Sequence, residues 1–321
     1  MGALLSQSFN PETDVGDLKG KVILVTGGNS GIGFATIQHL ARLGAKVYMG
    51  ARNKDKALEA IQRLKHEGLG PGYGEVVWLD VNLSDPRRAK KAAEDFMVRE
   101  TKLDVLVNNA AVSKYSGTLH NHKRCYLCPC VFTRTLLPLL KKTAEKPGSD
   151  VRIVTVSSNA MILCHGLRFR SKDDFNDRHS DSWWPAASRY VRTKLANALF
   201  ATELQRRLDR EGIPIIILSL HPGCVNTEGY QAYAQQKRGV IGFIWSWFGN
   251  LFLLSPSDGA LNSVFAAVAP EIRANPQTYK GGHLRSVGVV GAPNKEALDE
   301  DLAHELWDTT DTILNKLGVV V

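Results

Sequence analysis

Tyr190 and Lys194 stand in the run Tyr190-Val191-Arg192-Thr193-Lys194, a spacing that puts both on one face of a helix, one turn apart. A phenol of ordinary pKa, about 10, is a poor proton donor or acceptor at neutral pH, and an ammonium one turn away lowers it. By itself Tyr-x-x-x-Lys is common and usually means nothing. It gains meaning from Ser157-Ser158 at the end of the strand expected over 151–156. A hydroxyl at Ser158 can hydrogen-bond a substrate oxygen alongside the phenol. Proton transfer at an alcohol or carbonyl oxygen is the chemistry open to such a set.

A second set surrounds Thr26-Gly27-Gly28-Asn29-Ser30-Gly31-Ile32-Gly33. Glycines there let the backbone approach a pyrophosphate, and a helix starting at the turn offers unpaired N–H groups and a positive dipole end. Gly27, Asn29, Ser30, Gly31, Ile32 and Gly33 are the candidate contacts. A Gly-rich turn also serves as a tight connection with no ligand, and its place directly after an apolar strand favours the phosphate role. The second strand ends in Gly50-Ala51-Arg52-Asn53, where an NAD site usually presents a carboxylate to the ribose hydroxyls. Arg52 is placed to pair with a 2′-phosphate, and a charge-assisted bond of about 1.5–3 kcal/mol sets NADP over NAD. Asp80, closing the third strand, can accept from the adenine amino group. Asn108 and Ala110, closing the fourth, would lie beside the cofactor at the carboxyl ends of the strands.

The elements that must hold these residues alternate along the chain. Strands are expected over 22–25, 46–50, 76–79, 105–107, 151–156 and 215–220, and helices over 31–43, 54–66, 86–100, 133–144 and 189–210. Strands apolar throughout belong to a parallel sheet covered on both faces. The fold class is therefore α/β, a single doubly wound parallel sheet of Rossmann type in three α/β/α layers. After a polar leader at 1–17, residues 18–321 read as one nucleotide-binding domain with a substrate lobe at about 226–256. Ser255 can cap a helix with Pro256 at its first position, and Asn294 can cap a last helix carrying Leu298, Leu302, Leu306, Ile313 and Leu317 on one face.

Composition narrows the function classes. With 40 Lys plus Arg against 32 Asp plus Glu, 44% hydrophobic residues and 22% charged, the chain can bury a large core, which excludes disordered and disulfide-scaffold readings. The basic runs, such as Arg87-Arg88 with Lys90-Lys91, lack interleaved aromatics, so a solvated helix face explains them and no nucleic acid partner is expected. Five cysteines, three of them within 125–130, favour a reducing, cytoplasmic setting. The longest apolar stretch, 240–254, is too short and too interrupted to span a membrane. It reads equally as a core or homodimer-face helix and as a pocket lid or a weak membrane-surface contact. Met1-Gly2-Ala3-Leu4-Leu5-Ser6 fits the loose myristoylation pattern, and one acyl chain anchors only marginally.

Taken in order, the Gly-rich turn, Asn108 to Ala110, Ser158, Tyr190, Lys194 and Pro222-Gly223 resemble the short-chain dehydrogenase/reductase family over about residues 18–317. Arg52, the long insert between Ser158 and Tyr190, and Leu306-Trp307 resemble its retinol-dehydrogenase and WW-domain-oxidoreductase-like branch. The resemblance implies that Tyr190 donates or accepts the proton, that Lys194 binds the nicotinamide ribose while tuning the phenol, and that Ser158 steadies the carbonyl oxygen. It implies cofactor contacts at Pro222, Gly223 and Val225, with Thr227 touching the carboxamide. One segment departs from the family. Counting back from Leu136-Leu137-Pro138 puts Cys125 where the family carries a catalytic asparagine, and Pro129 falls where helix interior is expected, at a cost of about 3 kcal/mol or more. His120, His122, Cys125, Cys128 and Cys130 have spacing a zinc ion could use, but a tetrahedral site would unwind the helix lining the pocket. A mis-spliced or frame-shifted stretch accounts for the run better, and no resident metal is expected. The reading is an NADP(H)-preferring oxidoreductase moving hydride to or from a lipophilic alcohol or carbonyl, retinoid-like, steroid-like or polyketide-like. The alternative is a nucleotide-binding pseudoenzyme or interaction protein whose segment 111–131 has lost turnover.

Overall fold

The computed structural model describes residues 8–69, 73–111, 126–171, 173–174, 185–226, 253–291 and 294–321. Its strands are β1 (Val22–Thr26), β2 (Lys46–Ala51), β3 (Val76–Asp80), β4 (Val105–Asn108), β5 (Val151–Val156), β6 (Ile215–Leu220), β7 (His283–Ser286) and β8 (Val289–Val290). They form one sheet in the order β3-β2-β1-β4-β5-β6-β7-β8, parallel from β3 through β7 and closed by antiparallel β8. The order reverses between β1 and β4, the crevice where such sheets bind ligands.

Successive residues of each central strand serve opposite faces, as the two-residue side-chain period requires. Leu24, Leu106, Ile153 and Ile217 pack on one face, beneath helices α3 (Pro86–Arg99), α4 (Cys128–Ala144) and α5 (Pro185–Arg210). Ile23, Val107, Val154 and Ile216 pack on the other, beneath α1 (Gly31–Arg42), α2 (Lys54–His66) and α6 (Pro256–Val268). A last helix, α7 (Glu300–Lys316), lies along α5. Buried Arg152 of β5 donates Nε to Asp150 at 3.0 Å and Nη2 to the Ala269 carbonyl at 2.9 Å, so the strand that carries Ser158 is tied to the C-terminal end of α6.

Three expectations are corrected. Asn294 does not cap the last helix: Asp299 does, accepting from the Leu302 N–H at 2.9 Å, while Asn294 opens a short 3-10 turn and holds the Cys164 carbonyl at 3.0 Å. Leu298 accordingly lies outside the helix, 70% exposed. Pro129 is not in an α-helix interior, although Tyr126 and Leu127, just before that helix, are π-helical. The helix expected over 133–144 begins at Cys128, which puts Pro129 in its first turn, where an N–H has no intrahelical acceptor and its loss costs little. The sheet also has an edge, β7 and β8, that the sequence did not announce.

Candidate active site

The Gly-rich turn leaves β1 and enters α1. Gly27 has φ +66° and Gly31 φ +55°, conformations L side chains rarely adopt. A Cβ at Gly33 would lie 2.4 Å from both the Asn109 Nδ2 and the Gly27 carbonyl oxygen, so the turn closes on itself only without side chains. Asn109 Nδ2 donates to the Thr26 carbonyl at 2.9 Å and the Gly27 carbonyl at 3.3 Å, and Thr26 Oγ1 accepts from the Asn109 and Ala110 N–H groups at 3.1 and 3.0 Å. Strand ends β1 and β4 are thereby laced together beneath the turn. Ser30 occupies the N-cap of α1 without a side-chain cap, leaving first-turn N–H groups for an anion. Asn29, Ser30, Gly31 and Ile32 are part-exposed at that end. The bare cradle and uncapped helix end fit a dinucleotide pyrophosphate.

Arg52 follows β2 and is exposed, with no ion pair among the described residues. Asp80 ends β3 opposite Ala51 and is also exposed. Asn108 is buried, donating Nδ2 to Thr133 Oγ1 of α4 at 2.8 Å, while its Oδ1 has no partner.

At the end of β5, Ser158 caps a 3-10 turn (Asn159–Leu163), its Oγ accepting from the Ala160 N–H at 3.1 Å. Ser157 Oγ donates to the Lys194 carbonyl at 2.5 Å, and Lys194 Nζ donates to the Val156 carbonyl at 2.9 Å. These two bonds bolt α5 to the strand end. The Lys194 ammonium lies 5.7 Å from the Tyr190 ring centre and keeps two of its three donors free of that bond. Pro222, Gly223 and Val225 follow β6, which pairs with β5 along its length. Gly223 has φ +90°, and a Cβ there would lie 2.6 Å from Leu254, whose backbone bridges to Val225. The strand ends thus bring the Gly turn, Ala110, Ser158, Lys194 and Pro222-Gly223 to one edge of the sheet. Thr227, Cys125, His120 and His122 lie outside the described residues. Cys128 and Cys130 are buried in the core, and burial pushes the Cys130 thiol up to about 12, against the thiolate that zinc ligation needs.

Sequence reasoning missed Thr26 and Asn109 as the lacing beneath the turn, and two histidines behind the site. Burial, with the Lys194 ammonium adding to it, pushes His221 down to about 4. Burial, then His221 and Arg285, pushes His283 down to about 3. In an unfolded chain each titrates near 6.5, so below that value the unfolded state binds more protons and stability rises with pH. The contribution is complete above pH 6.5 and lost as pH falls toward the folded values. Thermal unfolding should show it: from pH 7 to 5 the two histidines steepen the loss by up to about 1.4 kcal/mol per pH unit each. His221→Gln/His283→Gln should flatten the curve, and an equal slope in parent and variant would refute the assignment.

The short chain dehydrogenase family model matches residues 21–163. A short-chain dehydrogenase/reductase of Armillaria gallica is 43% identical, aligned over 97% of this chain and 98% of its own. Retinol dehydrogenase 14 of Mus musculus is 33% identical over 95% of this chain and 89% of its own. Among solved structures, L-sorbose reductase of Gluconobacter frateurii, complexed with NADPH and L-sorbose, shares the fold with a TM-score of 0.64 at 21% identity, covering 86% of this chain and 97% of that one.

Proposed function

Because the chain belongs to the short-chain dehydrogenase/reductase family, an oxidoreductase family working between CH–OH and C=O with NAD(P), we propose that its coenzyme is NADP(H) and its substrate a lipophilic alcohol or carbonyl. The observation that carries the coenzyme preference is Arg52, an exposed guanidinium without an ion pair among the described residues, at a strand end that offers no carboxylate. NADPH in the related L-sorbose reductase supports the same reading. Lipophilicity is supported by Ile162 and Leu163, 52% and 70% exposed just after Ser158, by the aromatic-rich run 240–254, most of which lies outside the described residues, and by the name of the mouse relative. A homodimer and a weak membrane-surface contact belong to the same proposal. No helix among the described residues is long and apolar enough to cross a membrane.

The residues act as follows. Gly27, Asn29, Ser30, Gly31, Ile32 and Gly33 receive the pyrophosphate, Arg52 the 2′-phosphate, and Asp80 the adenine amino group. Asn108, Ala110, Pro222, Gly223, Val225 and Thr227 line the nicotinamide half. The bound nicotinamide supplies or accepts the hydride. In the reducing direction Tyr190 gives its proton to the carbonyl oxygen; in the oxidising direction its phenolate takes the proton from the alcohol. Lys194 holds the ribose. Ser158 spends an acceptor position on the Ala160 N–H and keeps its own proton for the substrate oxygen. No observation favours the pseudoenzyme alternative.

The test is Arg52→Asp, followed at the nicotinamide absorbance with a panel of lipophilic aldehydes and ketones. Losing a charge-assisted bond of about 1.5–3 kcal/mol should lower the NADPH-to-NADH ratio of kcat/KM by about 10- to 150-fold. An unchanged ratio would remove the basis for NADP.

A further inference from the structure

Behind Ser158 the structure places a chain of polar groups that the cofactor and proton-transfer roles leave unused. Strand β7 pairs with β6 so that His283 stands opposite Ser219. The imidazole is 6% exposed, with Nδ1 2.9 Å from Ser219 Oγ and Nε2 3.1 Å from Asn159 Oδ1. Asn159 Nδ2 donates to the Arg285 carbonyl at 3.2 Å. That bond fixes the amide orientation: Oδ1 faces the ring, so Nε2 carries the hydrogen and donates to it. Nδ1 is then the acceptor and receives a hydrogen bond from the Ser219 hydroxyl. Every group in the chain has its partner. Burial keeps the ring neutral, which preserves this tautomer at ordinary pH.

Asn159 is the residue next to Ser158 and the first of the 3-10 turn that Ser158 caps. An amide held on one side by His283 and on the other by the Arg285 carbonyl fixes the start of that turn, and with it the Ala160 N–H that occupies Ser158 Oγ at 3.1 Å. If the turn shifts, the Ser158 hydroxyl loses the donor that directs its proton outward. We propose that His283 is a positioning residue for Ser158, acting through Asn159; this rests on reading Ser158 as the group that holds the reacting oxygen. The sheet edge formed by β7 and β8 then has a role in catalysis as well as in closing the fold.

The test uses the full chain with NADPH and decanal as the carbonyl probe. His283→Ala and Asn159→Ala should each lower kcat about 10- to 100-fold, the range expected from a misplaced catalytic group, with KM for NADPH within about two-fold. His283→Gln keeps a donor at the Nε2 position and should restore most of the rate, whereas His283→Asn, which reaches only the Nδ1 position, should not. Added to Ser158→Ala, His283→Ala should cost less than about two-fold more, since a positioning residue has nothing left to position. Hydrogen exchange over 159–164 should quicken in His283→Ala and not in His283→Gln, whether or not decanal turns over.

Equal rates in the Gln and Asn variants, full additivity with Ser158→Ala, or unchanged exchange would overturn the positioning role. If Ser158→Ala leaves kcat intact, the reading of Ser158 fails and the role of His283 falls with it. If Ser158→Ala is crippled while the His283 and Asn159 variants are not, only the positioning role fails.

Discussion

Replacing Tyr190 with phenylalanine removes turnover and leaves NADP(H) bound. The substitution deletes one oxygen from a part-buried ring that packs against the core beneath α5. Lys194 keeps its own hold on the strand, through the 2.9 Å bond from Nζ to the Val156 carbonyl, so the helix does not depend on the phenol for its position. The cofactor contacts proposed at the Gly turn and Arg52 lie on other elements. What is lost is the group proposed to move a proton to or from the substrate oxygen, and general acid–base catalysis of that kind contributes about 10²- to 10⁴-fold. The expected result is a fall in kcat of about 10³-fold or more, with the dissociation constant for NADPH within about three-fold by calorimetric titration. A variant that retains turnover would show that another group handles the proton, and the roles given to Lys194 and Ser158 would have to be rebuilt around it.

The elements legible in the sequence are those whose cause is local. Val22–Thr26 and Ile215–Leu220 are almost wholly apolar, and buried strands of a parallel sheet follow from that alone. Ser255 caps its helix as its position before Pro256 announces, its side chain accepting from the Asp258 N–H. Strand β7 has no such cause. Its four residues, His283-Leu284-Arg285-Ser286, form a strand because the backbone of β6 pairs with them and because a buried histidine finds partners at Ser219 and Asn159. The last cap was misassigned for a related reason: Asn294 and Asp299 are both competent caps, and Asn294 is drawn away to the Met161 and Cys164 carbonyls. Pro129 looked like a helix breaker only while the helix start was unknown.

In the site the same division holds. Glycines, a terminal arginine and the Tyr/Lys pair declare themselves by type and spacing. Asn109, 83 residues from the Thr26 hydroxyl that it meets, and His283, 124 residues from Asn159, do not. Their contribution exists only once β4 lies beside β1 and β7 beside β6. The residues proposed to touch ligand are thus the ones read from type and spacing, while the residues that hold them needed the fold.

Gly33→Ala should cost the cofactor more than any other single methyl group in the turn. The new Cβ would sit 2.4 Å from the Gly27 carbonyl oxygen, which is backbone and cannot rotate away, and 2.4 Å from Asn109 Nδ2. Moving Asn109 aside breaks its bonds to the Thr26 and Gly27 carbonyls, the lacing that holds β4 to the turn. Overpacking typically costs about 1–3 kcal/mol, and each lost hydrogen bond about 1 kcal/mol more. The relief open to the chain is to displace the turn, which is the surface meant to receive the pyrophosphate. About 3 kcal/mol of such displacement corresponds to about a 150-fold weaker complex, so the dissociation constant for NADPH should rise at least 100-fold, with a lower melting temperature. Gly16→Ala is the control, since an added Cβ there meets nothing within 4 Å, and its affinity should match the parent. Asn109→Ala separates the two causes, because it removes the lacing without introducing a clash. A loss of about ten-fold is expected from it, the equivalent of a bond or two. Should Gly33→Ala bind NADPH as the parent does, the turn is only a tight connection, and the pyrophosphate must be held elsewhere.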